Sequence, residues 1–318
     1  MIDRVSSAVT EFVATLQQWL FEGVVQPLLF ATGLMRWQED AFDATEWFVI
    51  GVLEVGLLAL LLGGAQRLWP AEPLVDRRSV RTDILYTLLH RLGAIPLAVF
   101  FLVTPAFDAL EASLRLAGFS RLNLETLLPW LDGRPLAAFV AYLVVLDAAD
   151  YLIHRAQHTW RWWWALHALH HSQRQMTFWS DNRNHLLDDL IRDGLLALLA
   201  IAIGVAPGQF VALVVVSRVL QSLQHANLRW HFGAVGERLL VSPSFHRRHH
   251  AIGVGHEGRK HGCNFAVLFP IWDILGGTAD FRPGWVPTGI RDQLEGRDYG
   301  RGFWSQQWRA LLRLARRA

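Results

Sequence analysis

The chain has 318 residues, 52% of them hydrophobic and only 18% charged, with 15 tryptophans and a formal net charge of +2. This composition is too apolar and too aromatic for an ordinary soluble domain and points to a bilayer. The small net charge argues against a nucleic-acid partner, and the one cysteine, Cys263, excludes an internal disulfide and an iron–sulfur cluster held by this chain alone.

No N-terminal stretch combines a basic start, an apolar middle and a small-residue cleavage site, so insertion by the first span is expected. Residues 12–34, interrupted by Glu22 and Pro27, read either as a further span or as a helix lying in the interface. A spanning helix needs about 20 mostly apolar residues. Trp47 to Ala65 qualifies despite Glu54, and Ile84 to Val103 qualifies despite His90, Arg91 and Pro96. Pro135 to Leu146 carries the same pattern into the first of three histidine clusters. Leu195 to Val219 is apolar apart from Gln209, Ser217 and Arg218, with Pro207-Gly208 in its middle. That stretch is either one kinked span or a hairpin with short arms, and the hairpin is preferred because it returns the chain to the side it left.

Arg67, Arg77, Arg78 and Arg81 crowd the connection between the 47–65 and 84–103 stretches, whereas Glu39, Asp40, Asp43 and Glu46 precede the first. The basic connection is therefore expected to be cytoplasmic, and the Pro135 helix should emerge on that side two spans later. The expected fold is all-α: an integral membrane helical bundle of about four transmembrane helices with a cytoplasmic histidine-rich helical cap. Its divisions are an N-terminal membrane region (1–134), a catalytic region with a membrane hairpin at 195–220 (135–285) and a C-terminal basic amphipathic tail (286–318). In the tail, Arg309, Arg313, Arg316 and Arg317 stand against Trp304, Trp308, Leu311, Leu312 and Leu314, the pattern of an interfacial helix or of a solvated helical face. Trp160, Trp162, Trp163 and Trp164 suit a headgroup-level belt or packing beneath a cap.

Eleven of the fourteen histidines fall between residues 154 and 250. They cluster as His154 and His158, as His167, His170 and His171, and as His246, His249 and His250. Residues three and four apart share a helical face, so each cluster can aim its rings at one point. Eight imidazoles exceed the roughly four to six ligands of one first-row ion, so two ions in one cage is the economical expectation. The alternative is a structural zinc site or unrelated helical pairs, but structural zinc closes with four ligands and usually recruits cysteine. Imidazole alone does not name the metal. No carboxylate lies inside any cluster, which weighs against a two-zinc hydrolase. No dinucleotide loop is present, so reducing equivalents, if used, must come from another protein. Asp147 and Asp150, seven and four residues before His154, are expected to accept ring protons of bound histidines, with a salt bridge to Arg155 or Arg161 as the alternative.

The clusters and their flanks resemble the fatty acid hydroxylase/sterol desaturase superfamily, the membrane di-iron oxygenases, with its pattern H-x3-H, H-x2-H-H and a later H-x2-H-H. Here the pattern runs D-A-A-D-Y-L-I-H-R-A-Q-H, W-W-A-L-H-A-L-H-H-S and S-P-S-F-H-R-R-H-H, then continues through G-C-N-F-A-V-L-F-P-I-W-D-I-L-G-G-T. The resemblance covers residues 140–280 and implies metal-ligand roles for His154, His158, His167, His170, His171, His246, His249 and His250. It extends to His185 in R-N-H-L-L-D-D and to His225 in Q-H-A-N-L, against the alternative of hydrogen-bonded core histidines. Asn264 and His261, close after the last box, are read as residues supporting the ligands, with a turn as the alternative, while His231, His256 and His261 have no comparable warrant as ligands. Gly262 stands where many relatives have aspartate.

The resemblance further implies an oxidoreductase with two iron ions, replaceable by zinc, that hydroxylates or desaturates a membrane lipid with O2. Electrons would come from NAD(P)H through an external donor such as a cytochrome b5 or a ferredoxin and its reductase. The expected location is the bacterial inner membrane or the endoplasmic reticulum. The rival functions are a membrane zinc-dependent lipid hydrolase and a non-catalytic metal-binding membrane protein. A transporter would hold its ligands near the bilayer midplane, whereas these boxes follow the spans and are interleaved with Arg155, Arg247 and Arg248.

Overall fold

The computed structural model describes residues 2–95, 97–98, 109, 112–113, 115–118, 123–258, 260–282 and 284–316. Among them the ordered elements are helices, joined by a single isolated antiparallel bridge between Ala251 and Thr288. The chain divides into two compact units, one of residues 1–61 with 88–102 and one of residues 62–87 with 103–318.

In the first unit α1 (Ile2–Leu20) runs into a π-helical turn, Phe21–Val25, before α2 (Gln26–Ala31). Residues 12–34 are thus not one regular span, and Phe12, Trp19, Leu28 and Phe30 are exposed on these helices. The long helix α3 (Gln38–Leu68) begins in this unit, and with the turn before it forms one of the two helices, among the described residues, long and apolar enough to cross a membrane. Glu54, the charge inside its apolar stretch, is buried and accepts a hydrogen bond from Nη1 of the equally buried Arg91 at the end of α4 (Arg77–Arg91). Pairing the two charges is what makes either tolerable among apolar side chains. Gly51, one turn from Glu54, admits that neighbour: a Cβ there would lie 1.8 Å from the Arg91 carbonyl oxygen. Of the stretch expected to span from Ile84 to Val103, α4 takes the part up to Arg91, and residues 96 and 99–103 lie outside the described residues.

In the second unit a short helix α5 (Leu124–Leu127) precedes α6 (Pro135–Thr159), the second candidate span. Pro135 starts α6, where its missing N–H costs nothing. The chain turns at Trp160, whose extended backbone separates α6 from α7 (Arg161–His171). The apolar stretch at 195–219 folds as a hairpin: α8 (Leu186–Ala202) ends in a turn with Gly204 at φ 79°, and Pro207 opens α9 (Pro207–His225). Pro207-Gly208 therefore begins the second arm instead of forming the tip. Three short helices follow, α10 (Gly233–Leu239), α11 (Pro243–His249) and α12 (Ile271–Gly276). Ser242 caps α11 by accepting the Phe245 N–H, and left-handed Gly277 ends α12.

The last helix, α13 (Phe303–Leu314), packs along α7 with its polar residues inward. Gln307 donates to the Tyr86 hydroxyl and the Asn184 carbonyl and accepts the Leu186 N–H, and Arg313 donates to the Ala165 carbonyl. Trp304 and Trp308 face outward, 77% and 60% exposed. Arg313 belongs to the buried side of this helix, where its Nε meets the Ala165 carbonyl and the Tyr299 ring lies beneath the guanidinium.

Candidate metal centre

The helices divide the histidines into two buried groups of four, within each of which the ligand atoms lie within 4.8 Å of one another. The first is His154, His158, His171 and His249; the second is His170, His225, His246 and His250. The division follows from helix geometry. Ring pairs four apart stay on one face, while the neighbour one residue away is rotated by about 100°. Thus in the third box His246 and His250 feed the second group and His249 the first. In the second box His170 joins the second group and His171 the first. The remaining box histidine, His167, lies beside the first group, its ring centroid 5.2 Å from those of His154 and His158 and 5.1 Å from that of His171.

Fixed acceptors hold these rings in one tautomer. Nδ1 of His154 donates to the Phe265 carbonyl at 2.7 Å, and Nδ1 of His249 to the Cys263 carbonyl at 2.8 Å. Nδ1 of His225 donates to the Gln221 carbonyl at 2.9 Å, with Asp181 3.5 Å away. Nδ1 of His167 donates to Asp188 at 3.0 Å, and the same carboxylate accepts from Gln157 and Trp163. With its proton held at Nδ1, each ring turns the Nε2 lone pair inward. Burial pushes His249 down to about 3 and pushes His170, His171, His246 and His250 well below the usual histidine range, assisted by neighbouring rings. These imidazoles are therefore neutral at physiological pH, the form that binds metal.

The donor set fits a pair of metal ions. Nε2 of His167 and His249 and both nitrogens of His158 and His171 are buried with no hydrogen-bond partner. Leaving such atoms unmet costs about 1–3 kcal/mol each, so a protein core does not gather them without a ligand to satisfy them. In the second group successive Nε2 atoms, from His170 through His225 and His246 to His250, are 3.2, 3.1 and 3.1 Å apart. That is close to the edge, about 3.3–3.4 Å, of a nitrogen tetrahedron around a central ion.

His185 enters neither group. Its Nδ1 accepts the Leu187 N–H at 3.1 Å and caps α8, so the lone pair expected for metal serves a helix end. Asp147 and Asp150 touch no histidine. Asp147 accepts the Leu268 and Phe269 N–H groups and the Trp272 indole, and Asp150 pairs with Arg192. Their spacing from His154 gives the right stripe of the helix but the wrong height, about 6 and 10.5 Å along the axis, and other segments occupy them there. Asn264 supports the rings through the backbone. Held at φ 58°, its side chain donates to the Phe245 and Asp280 carbonyls and accepts the Asp280 N–H, fixing the segment whose carbonyls hold His249 and His154. Sequence reasoning missed Asp181 and Asp188 as ring partners, although Asp188 stands three residues after His185 in a recognised motif. It also set aside His256, whose two nitrogens are buried without partners and whose ring stacks on Trp164 at 5.3 Å.

Comparison with known proteins agrees with this geometry. Residues 139–278 match the fatty acid hydroxylase family. That stretch, which carries both histidine groups, belongs to the family. The chain is 27% identical over 277 residues to ornithine lipid hydroxylase OlsE of Rhizobium tropici, covering 85% of this chain and 77% of that one. It is 32% identical over 133 residues to an alkylglycerol monooxygenase of Caenorhabditis elegans, covering 41% of this chain and 24% of that protein. A very-long-chain aldehyde decarbonylase of Oryza sativa subsp. indica is 27% identical over 164 residues, with coverage of 48% and 25%. No solved structure matches the chain.

Proposed function

We propose that this protein is a membrane di-iron oxygenase that hydroxylates or desaturates a C–H bond of a membrane lipid, using O2 and electrons from a separate NAD(P)H-linked donor. The observation that carries this reading is the pair of buried imidazole groups with partnerless nitrogens. The likeness to a lipid hydroxylase over most of both chains supports a lipid as substrate. His154, His158, His171 and His249, with His167 beside them, would hold one ion; His170, His225, His246 and His250 would hold the other. A pair of nitrogen-ligated irons, when bound, supplies the oxidation of an unactivated C–H bond by O2.

The chain's own part is preorganisation. The Phe265, Cys263 and Gln221 carbonyls and the Asp188 carboxylate retain the Nδ1 protons, so the inward lone pairs need no reorientation. Trp164 packs on the His158 and His171 rings at 5.0 and 5.4 Å and helps keep water from them. We further propose four spans with the histidine region (135–285) on the cytoplasmic side, supported by the arginines at 67–81.

The test uses the full chain in lipid nanodiscs, assayed for metal content and for product mass. Two irons per chain and a lipid gain of about 16 mass units, or a loss of about 2, is the expected result. Stoichiometric redox-silent zinc with cleavage of a lipid ester or amide would replace this reading with hydrolysis.

A further inference from the structure

The strap between α3 and α4, residues 69–76, lies outside the stretch that matches the family, yet it is bonded to the two segments that carry His225 and His246. Asn227, two residues after His225 and fully buried, lays its amide against the strap. Its Oδ1 accepts the Glu72 N–H at 3.0 Å, its Nδ2 donates to the Glu72 carbonyl at 2.8 Å, and its own carbonyl accepts the Ala71 N–H at 2.9 Å. From the end of α3, Oε1 of Gln66 accepts the Asn227 N–H at 2.6 Å. The same Glu72 reaches Arg247, the residue after His246: Nη2 of Arg247 donates to Oε1 of Glu72 at 2.8 Å, its Nε donates to the Val286 carbonyl, and its guanidinium lies on the Trp285 ring. The Arg247 side chain is 6% exposed, so the carboxylate offsets a charge whose burial is costly when unpaired.

The second histidine group depends on such a hold more than the first does. In the first, backbone carbonyls orient His154 and His249. In the second, Nδ1 of His170, His246 and His250 meets no acceptor, so the place of these rings follows from where their backbone is held. The Nε2 atoms of His225 and His246 lie 3.1 Å apart, and Glu72 bonds to a residue behind each, through its backbone to Asn227 and through its carboxylate to Arg247. We infer that Glu72 is a positioning residue for the second metal site: it ties the separation of His225 and His246 to the strap at the end of α3. Its carboxylate acts through Arg247 and touches neither ring. The inference rests on the two-ion reading above but not on the chemistry proposed for the ions.

The test loads the full chain, in lipid nanodiscs, with Zn²⁺ and follows its release to a colorimetric chelator. Glu72→Gln keeps the shape of the side chain and both backbone bonds to Asn227 and removes only the charge. One ion per chain should leave about tenfold faster, the low end of what partners behind a metal ligand contribute, while the other keeps its wild-type rate. His225→Ala, which lacks a ligand of the second group, identifies the ion: adding Glu72→Gln to it should leave release of the remaining ion unchanged. Because Glu72 acts through Arg247, Arg247→Gln should speed the same ion, and the double variant should release it no faster than the single ones. A merely structural role would loosen the fold and speed both ions; that result, or unchanged release from Glu72→Gln, would overturn the inference. A wild-type chain that takes up a single Zn²⁺ would overturn the two-ion reading with it, whereas two ions released unchanged from Glu72→Gln would remove the role of Glu72 alone.

Discussion

Replacing Asp188 by asparagine tests how the first metal group is held. The Asp188 side chain is 2% exposed, and its Oδ1 accepts from Gln157 at 2.7 Å and Trp163 at 2.6 Å while Oδ2 accepts from His167 at 3.0 Å. Asparagine has the same shape but one oxygen fewer. Its remaining oxygen should serve Gln157 and Trp163, because facing them with the amide nitrogen would strand two donors instead of one. The amide N–H then confronts Nδ1 of His167, drives the proton to Nε2 and removes the lone pair that faces the first group. Loss of such a partner weakens metal binding about 10–100-fold, or about 1.4–2.8 kcal/mol. The assay is release of bound metal to a chelator from nanodisc-embedded protein. One ion per chain should leave faster by that factor while the ion at His170, His225, His246 and His250 keeps its wild-type rate. Two ions released at wild-type rates from Asp188→Asn would refute the idea that this carboxylate sets the His167 tautomer.

Asp147→Asn serves as the contrast, since its carboxylate holds backbone N–H groups and no ring: thermal stability should fall while the folded fraction keeps its metal, as scanning calorimetry with metal analysis would show. His185→Ala should cost about 0.5–2 kcal/mol as the loss of a helix cap without loss of metal, whereas His225→Ala should lose one ion per chain. Gly255→Ala places a Cβ 1.8 Å from the His249 carbonyl oxygen, so the loop must shift; a loss of about 1–3 kcal/mol in a denaturant series is expected for such overpacking, together with weaker metal retention. For the metal-free protein the sign of the pH dependence follows from the depressed histidines. Below the free-histidine value of about 6.5 the unfolded chain takes up protons that the folded cage refuses. Stability should therefore hold above that pH and decline as pH falls toward about 3, the value to which His249 is pushed. A flat melting temperature across that interval would contradict the neutral, desolvated state of the rings.

What the sequence determined by itself was local and periodic. Its apolar runs marked the long helices around Trp47 and Pro135 and the hairpin arms around Pro207, because helix length and hydropathy are properties of contiguous residues. The spacing of the boxes placed imidazoles on common helical faces, and that suffices to mark a candidate metal-binding donor set. Partnership between distant segments was not legible in it. The tertiary structure decided that adjacent histidines such as His249 and His250 serve different groups, that His185 caps a helix, and that Asp147 holds the Leu268–Phe269 backbone. It also decided that the ring protons go to Asp188 and to the Cys263 and Phe265 carbonyls. A backbone carbonyl carries no signature in the sequence, and a carboxylate meets whichever donor the packing of other helices brings within about 3 Å. The candidate histidines are thus written in the order of residues, whereas which of them come together, and in what orientation, depends on how separate helices pack.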